Sequence, residues 1–121
     1  MAVSVTKTDA GGAIVHDADA DSTGENDVRG GPTTLLGVKV VNPDATIYYL
    51  KLYDHLAPNI GTTDPVEVIQ IDASEDVAYS VNGGAGLPFT VGLSFAVVAE
   101  GGTAGTTDPT NPVLVTLETS S

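Results

Sequence analysis

Glycine and proline punctuate this chain so often that hardly any stretch is left to build a long helix. The 14 Gly and 7 Pro are spread through 121 residues. Each Pro removes a backbone donor, and each Gly raises the cost of ordering regular structure. Between them lie short runs with an apolar residue at every second position, the period of a strand that buries one face.

Val3-Ser4-Val5 and Ala13-Ile14-Val15 open the series. Leu36, Val38 and Val40 alternate with Gly37 and Lys39, and Tyr48, Leu50 and Leu52 alternate with Tyr49 and Lys51. This predicts both lysines on the outward face. Val66 to Asp72 changes phase between Val68 and Ile69, which predicts a β-bulge there, since one extra residue re-aims those after it. Val77, Tyr79 and Val81 alternate cleanly. The longest run is Leu87, Phe89, Val91, Leu93, Phe95 and Val97, with a bend predicted at Gly92. Val113, Val115 and Leu117 close the chain.

Seven or eight such strands predict an all-β fold: a single-domain antiparallel β-sandwich with long loops. Periodicity does not encode strand pairing, so a jelly roll and an immunoglobulin-like sandwich both stay open. Gly61-Thr62-Thr63-Asp64-Pro65 recurs as Gly105-Thr106-Thr107-Asp108-Pro109. Each copy stands between two alternating runs, which suggests two hairpins with similar loops. The stretch from His16 to Pro32 is polar, acidic and poor in large apolar side chains, so it reads as an extended arm. Residues 1–32 are thus expected to form N-terminal strand plus arm, and 33–121 the sandwich core.

Composition narrows the function classes. With 41% apolar but only 5% aromatic residues, the core must be aliphatic. No Cys is present, which removes disulfides, thiolate metal sites and a Cys nucleophile. The first residues lack a charged region followed by an apolar one, so no signal peptide is expected. Sixteen acidic residues face four basic ones, for a net charge of −12. Nucleic-acid binding needs clustered Lys and Arg, and anionic membranes would repel the chain, so neither partner is expected. In concentrated salt the Debye length shrinks to about 3 Å and self-repulsion fades. Asp-rich, Lys-poor surfaces resemble those of proteins from halophilic organisms.

Few residues suggest chemistry. Asp17, Asp19 and Asp21, with Glu25 or Asp27 nearby, place carboxylates at alternating positions, as a Ca²⁺ or Mg²⁺ site would need. The EF-hand register fails, because Ser22 stands where Gly should and Val28 where the bidentate Glu should. A looser cation site competes with a merely solvated acidic loop, and no other cofactor is expected. Gly92-Leu93-Ser94-Phe95-Ala96 approaches a nucleophile elbow, but the Ser sits in a strand pattern with no helix after it. His16 and His55 each stand beside an Asp, and neighbouring side chains on a strand point to opposite faces. Gly83-Gly84-Ala85-Gly86 lacks the Lys-Ser/Thr of a phosphate-binding loop. No catalytic residues are assigned, and an enzyme is not expected.

The second half runs Tyr48-Tyr49-Leu50-Lys51-Leu52-Tyr53-Asp54, Gly61 to Pro65, Leu87-Pro88-Phe89, Gly92 to Val97 and Gly101 to Thr107. Over about residues 46 to 117 this order resembles small β-sandwich virion proteins of tailed phages and archaeal tailed viruses. The resemblance implies a capsid-associated decoration or cement protein on the virion head surface. Its partners would be further copies of itself, in a trimer by preference, and the major capsid protein or other virion proteins. Tyr49 and Tyr53 would then be interface residues, since exposed aromatics favour interfaces. A tail or neck component of the same virion is the nearest alternative. A calcium-dependent carbohydrate-binding sandwich is a second, weakened by the absence of Trp.

Overall fold

The computed structural model describes residues 3–7 and 12–120. Among the described residues nine strands build two antiparallel sheets packed face to face, as the alternation requires: β1 (Val3–Lys7), β2 (Ala13–Ala20), β3 (Thr33–Val41), β4 (Tyr48–Asp54), β5 (Glu67–Ile71), β6 (Asp76–Ser80), β7 (Leu87–Phe89), β8 (Leu93–Val98) and β9 (Val113–Thr119). The larger sheet has the order β1-β2-β9-β3-β6, with β7 also paired to β3; the smaller is β5-β4-β8. The core is mainly aliphatic, but Tyr48, Phe89 and Phe95 also belong to it. Val15, Leu35, Val38, Val40, Val115 and Leu117 meet Leu50, Leu52, Ile71, Leu93, Phe95 and Val97 between the sheets.

Three local readings need correction. The bulge lies in β3, not β5. Leu35 pairs Thr119 and Gly37 pairs Glu118, so Leu36 is the extra residue and Leu35 turns inward instead. Strand β5 keeps continuous register with β4, Ile69 opposite Leu50 and Ile71 opposite Tyr48, while Val68 lies beside Lys51 on the other face. The long run from Leu87 to Val97 is two strands in different sheets: β7 pairs β3 and β8 pairs β4. The second Gly-Thr-Thr-Asp-Pro copy likewise joins β8 to β9 across the sheets, and only the first lies within a hairpin.

Strands β6 and β7 occupy the same edge of β3 end to end, partnering Gly37–Val41 and Thr33–Leu35. The excursion between them is a 3-10 turn over Val81–Gly84. Gly86 ends it at φ +87, where a Cβ would fall 2.5 Å from Thr34 Cγ2 and 2.9 Å from the Leu35 carbonyl oxygen. Only glycine lets the chain return that close to β3.

The acidic stretch from His16 divides in two. Through Ala20 it is β2, because His16 and Asp17 carry on the pairing with Thr116 and Val115. From Asp21 it runs along the open edge of β8. The Val97 N–H donates to Asp21 O at 2.9 Å, Glu25 and Phe95 exchange bonds of 2.8 and 3.0 Å, and the Val28 N–H donates to Leu93 O at 2.9 Å. A segment with little apolar area is held here by backbone hydrogen bonds, and it covers an edge that would otherwise be unpaired.

Candidate functional site

Of the polar side chains singled out in the sequence, His16, Asp17 and Asp19 lie on β2 of the larger sheet, and the others on the smaller sheet or the segments beside it. Strand alternation turns Asp17 inward, in one row with Ala13 and Val15, and leaves it fully buried. Its Oδ1 accepts the Asp19 N–H at 3.0 Å, and its Oδ2 is buried without a hydrogen-bond partner. Burial pushes the Asp17 carboxyl up to about 7; the Asp19 N–H works against this, and the nearby Glu25 and Asp19 carboxylates add to it. Glu25 is raised as well, by burial and by Asp19 and Asp21. The register shifts between Asp17 and Ala20. Asp21 turns to its own backbone, accepting the Thr23 N–H at 2.9 Å. Asp17, Asp19 and Glu25 thus come near one another. Among the described residues, though, no three His, Asp or Glu side chains converge as a metal ion would require.

The outer face of β4 carries Tyr49, Lys51 and Tyr53. Lys51 does lie on the outward face, as expected, but it and Tyr53 are fully enclosed there. The loop after β8 folds back over Tyr49 and Lys51. Lys51 Nζ donates to the Gly102 carbonyl and, at 3.4 Å, to that of Gly105. Burial lowers the pKa of this ammonium, and Glu100 beside it opposes the shift. Gly101 lies on the Tyr49 ring, where a Cβ would sit 3.1 Å from Cε2. Tyr53 Oη is buried without a partner, and burial raises its pKa. Of the two predicted interface tyrosines, Tyr53 has no surface to offer a partner, and Tyr49 is half-buried.

Ser94 is no exposed nucleophile. It is buried opposite Tyr53, its Oγ donating to the His55 carbonyl at 2.6 Å and accepting the Asp27 N–H at 2.8 Å. His55 Nδ1 accepts the Ala57 N–H at 3.0 Å. His16 lies on the other sheet, its Nδ1 3.0 Å from Thr116 Oγ1. Asp54 closes the bend that passes the chain from β7 to β8. Its Oδ1 accepts the Val91 and Gly92 N–H at 2.8 and 3.1 Å, and its Oδ2 the Thr90 N–H and hydroxyl, both at 3.1 Å. Burial opposes ionisation of Asp54, but these bonds outweigh it and its pKa is lowered.

The two repeat copies come together. Asp64 Oδ1 accepts the Thr103 hydroxyl at 2.9 Å, and Asp108 Oδ1 accepts the Ser22 N–H at 3.0 Å. The copies therefore bind the loops over the smaller sheet to one another. Sequence reading overlooked Asp44, Asp54 and Lys51 as anchors. The available signals were an aspartate at the end of a strand pattern and a lysine midway through one.

Comparison with protein-family models, with curated proteins and with solved structures found no match.

Proposed function

We propose that the chain is a structural protein of a tailed virus, a capsid-associated decoration or cement protein that acts by packing against other protein copies. The carrying observation is the way its reactive side-chain types are used. Ser94, His55 and Asp54 bind backbone groups of their own chain, and so serve to hold loops in place. A small sandwich whose loops are fixed this way presents preformed surfaces and loses little entropy on assembly. The virion assignment itself rests on the resemblance of residues 46 to 117, and the acidic composition suits a particle exposed to concentrated salt.

The test is mass spectrometry of purified virus particles from the host that carries this chain. The chain is expected in fixed stoichiometry with the main shell protein. Recovery from infected cells but not from particles would overturn the reading. Recovery with isolated tails rather than heads would move it to the tail or neck.

A further inference from the structure

We infer that the outer face of the six-stranded sheet is where two copies of this chain pack, sheet against sheet about a two-fold axis. The inference rests on the proposed self-association and names its surface.

Charge limits where two copies can meet. At −12, they repel wherever their carboxylates face each other. Strand register settles which residues point out from the larger sheet: those of the buried row point in, and their neighbours along each strand point out. Ile14 and His16 of β2 lie beside Glu118 and Thr116 of β9, which lie beside Gly37 and Lys39 of β3, then Ser80 and Ala78 of β6. One step along, Leu114 lies beside Val41 and Val41 beside Asp76. Among the described residues of β9, β3 and β6, and of β2 as far as Asp17, where its register with β9 is continuous, this face carries only Glu118 and Asp76 of the chain's sixteen acidic residues, with Lys39 to set against them. Apart from His16 and Ser80, the rest of its middle is Ile14, Thr116, Gly37, Val41, Leu114 and Ala78. Depletion of charge at the centre of a patch is the compositional mark of an interface.

The smaller sheet is less open to this part, because the outer face of its strands β4 and β8 is largely covered, with Lys51, Tyr53, Ser94, Ala96 and Val98 all buried. On the larger sheet Ile14 is 39% exposed among the described residues. The missing side chain at Gly37 leaves a recess of about 140 Å³ between Ile14, Lys39, Ala78 and Glu118, room for a side chain from an opposing sheet.

The remaining charges suit a second copy in particular. Gly37 pairs Glu118 and Lys39 pairs Thr116, so Lys39 and Glu118 are diagonal neighbours across β3 and β9. A two-fold axis in the interface plane, passing between them, sets each Lys39 opposite the other copy's Glu118. Both pairs form at once, as an isologous contact requires. The contact makes a dimer, in place of the trimer expected from the resemblance. Molar salt removes the long-range repulsion of the two −12 chains and leaves this contact as the main interaction between them.

The test is solution mass by light scattering in molar salt, with far-UV circular dichroism to verify the fold. The wild type is expected to be a dimer. Lys39→Glu and Glu118→Lys, each placing like charges opposite one another twice, should each raise the dissociation constant on the order of ten-fold or more. Combining them should restore the dimer, since the pairs re-form with signs exchanged. Thr116→Arg, at the centre of the face, should give a monomer. A monomeric wild type, or an oligomer indifferent to all these changes, overturns this surface. Neither result touches the virion assignment, which the particle measurement tests by itself.

Discussion

Gly61 of the first Gly-Thr-Thr-Asp-Pro copy lies against Thr106 of the second, so that a Cβ at position 61 would stand 2.6 Å from Thr106 Cγ2. The repeats are 44 positions apart and join different strand pairs. Their contact locks the loops that cover the smaller sheet.

Gly61 has φ +97, a conformation that a side chain adopts only with strain. Gly61→Ala is therefore expected to destabilise by about 1–3 kcal/mol in urea unfolding, with an unchanged m-value. Adding Thr106→Ala should recover the steric part and leave the backbone part. Full recovery would show that the backbone conformation costs nothing here.

Tyr48 Oη donates to Asp44 Oδ2 at 2.5 Å and accepts the Thr110 N–H at 3.0 Å. Asp44 also accepts the Asn111 N–H at 3.0 Å and its Nδ2 at 2.7 Å. Tyr48→Phe keeps the packing of a buried ring but leaves Thr110 N–H and Asp44 each short of a partner. A loss of about 1–3 kcal/mol is expected in chemical denaturation. Hydrogen exchange at Thr110 should quicken along with it. A variant as stable as wild type would mean that water replaces the hydroxyl at no cost.

The Asp17 carboxyl ordinarily titrates near 3.8 and is raised by burial to about 7. A group raised on folding favours the folded state most below its unfolded pKa, and that contribution is lost as pH rises through the folded value. Wild-type stability should therefore fall between about pH 4 and 7 relative to Asp17→Asn, which mimics the protonated acid at every pH. Urea titrations of both proteins across that range check it. Parallel profiles would mean that Asp17 ionises as freely in the fold as in the open chain.

Lys51 carries the opposite sign. Burial depresses its pKa below 10.5, so its contribution grows as pH rises through the lowered value toward 10.5. Tyr53 and Tyr79 are raised from 10.0 by burial and act against it in the same range, so the comparison must be with Lys51→Met. Replacing a buried ammonium by an apolar side chain of similar size is expected to change global stability by only about 1 kcal/mol either way. The visible effect should be local: faster hydrogen exchange over Gly101–Thr107, whose carbonyls lose their donor. Unchanged exchange there would show that the loop holds itself.

Much of the fold was legible in the residues. Alternation marked Val38, Val40, Leu50, Leu52, Val115 and Leu117 as inward, and all are buried. The candidate site was far less so. Asp17 sits in a strand pattern that continues into an acidic stretch, and composition hid the fact that β2 runs on to Ala20. Tyr53 and Lys51 read as exposed because alternation puts them opposite a buried row.

What the sequence by itself determined was the strand character, since period-two alternation between Gly and Pro breaks leaves the backbone few other ways to bury its apolar side chains. The tertiary structure alone decided which sheet each strand joined, and what lay over each face. Leu87–Phe89 and Leu93–Val98 share one alternating phase, yet Asp54, from a strand 36 positions earlier, holds the bend that sends them to different sheets. Likewise Lys51 is buried by carbonyls 51 and 54 positions further along. Periodicity is a property of neighbours in the chain, and it holds no record of the distant segment that will cover a face.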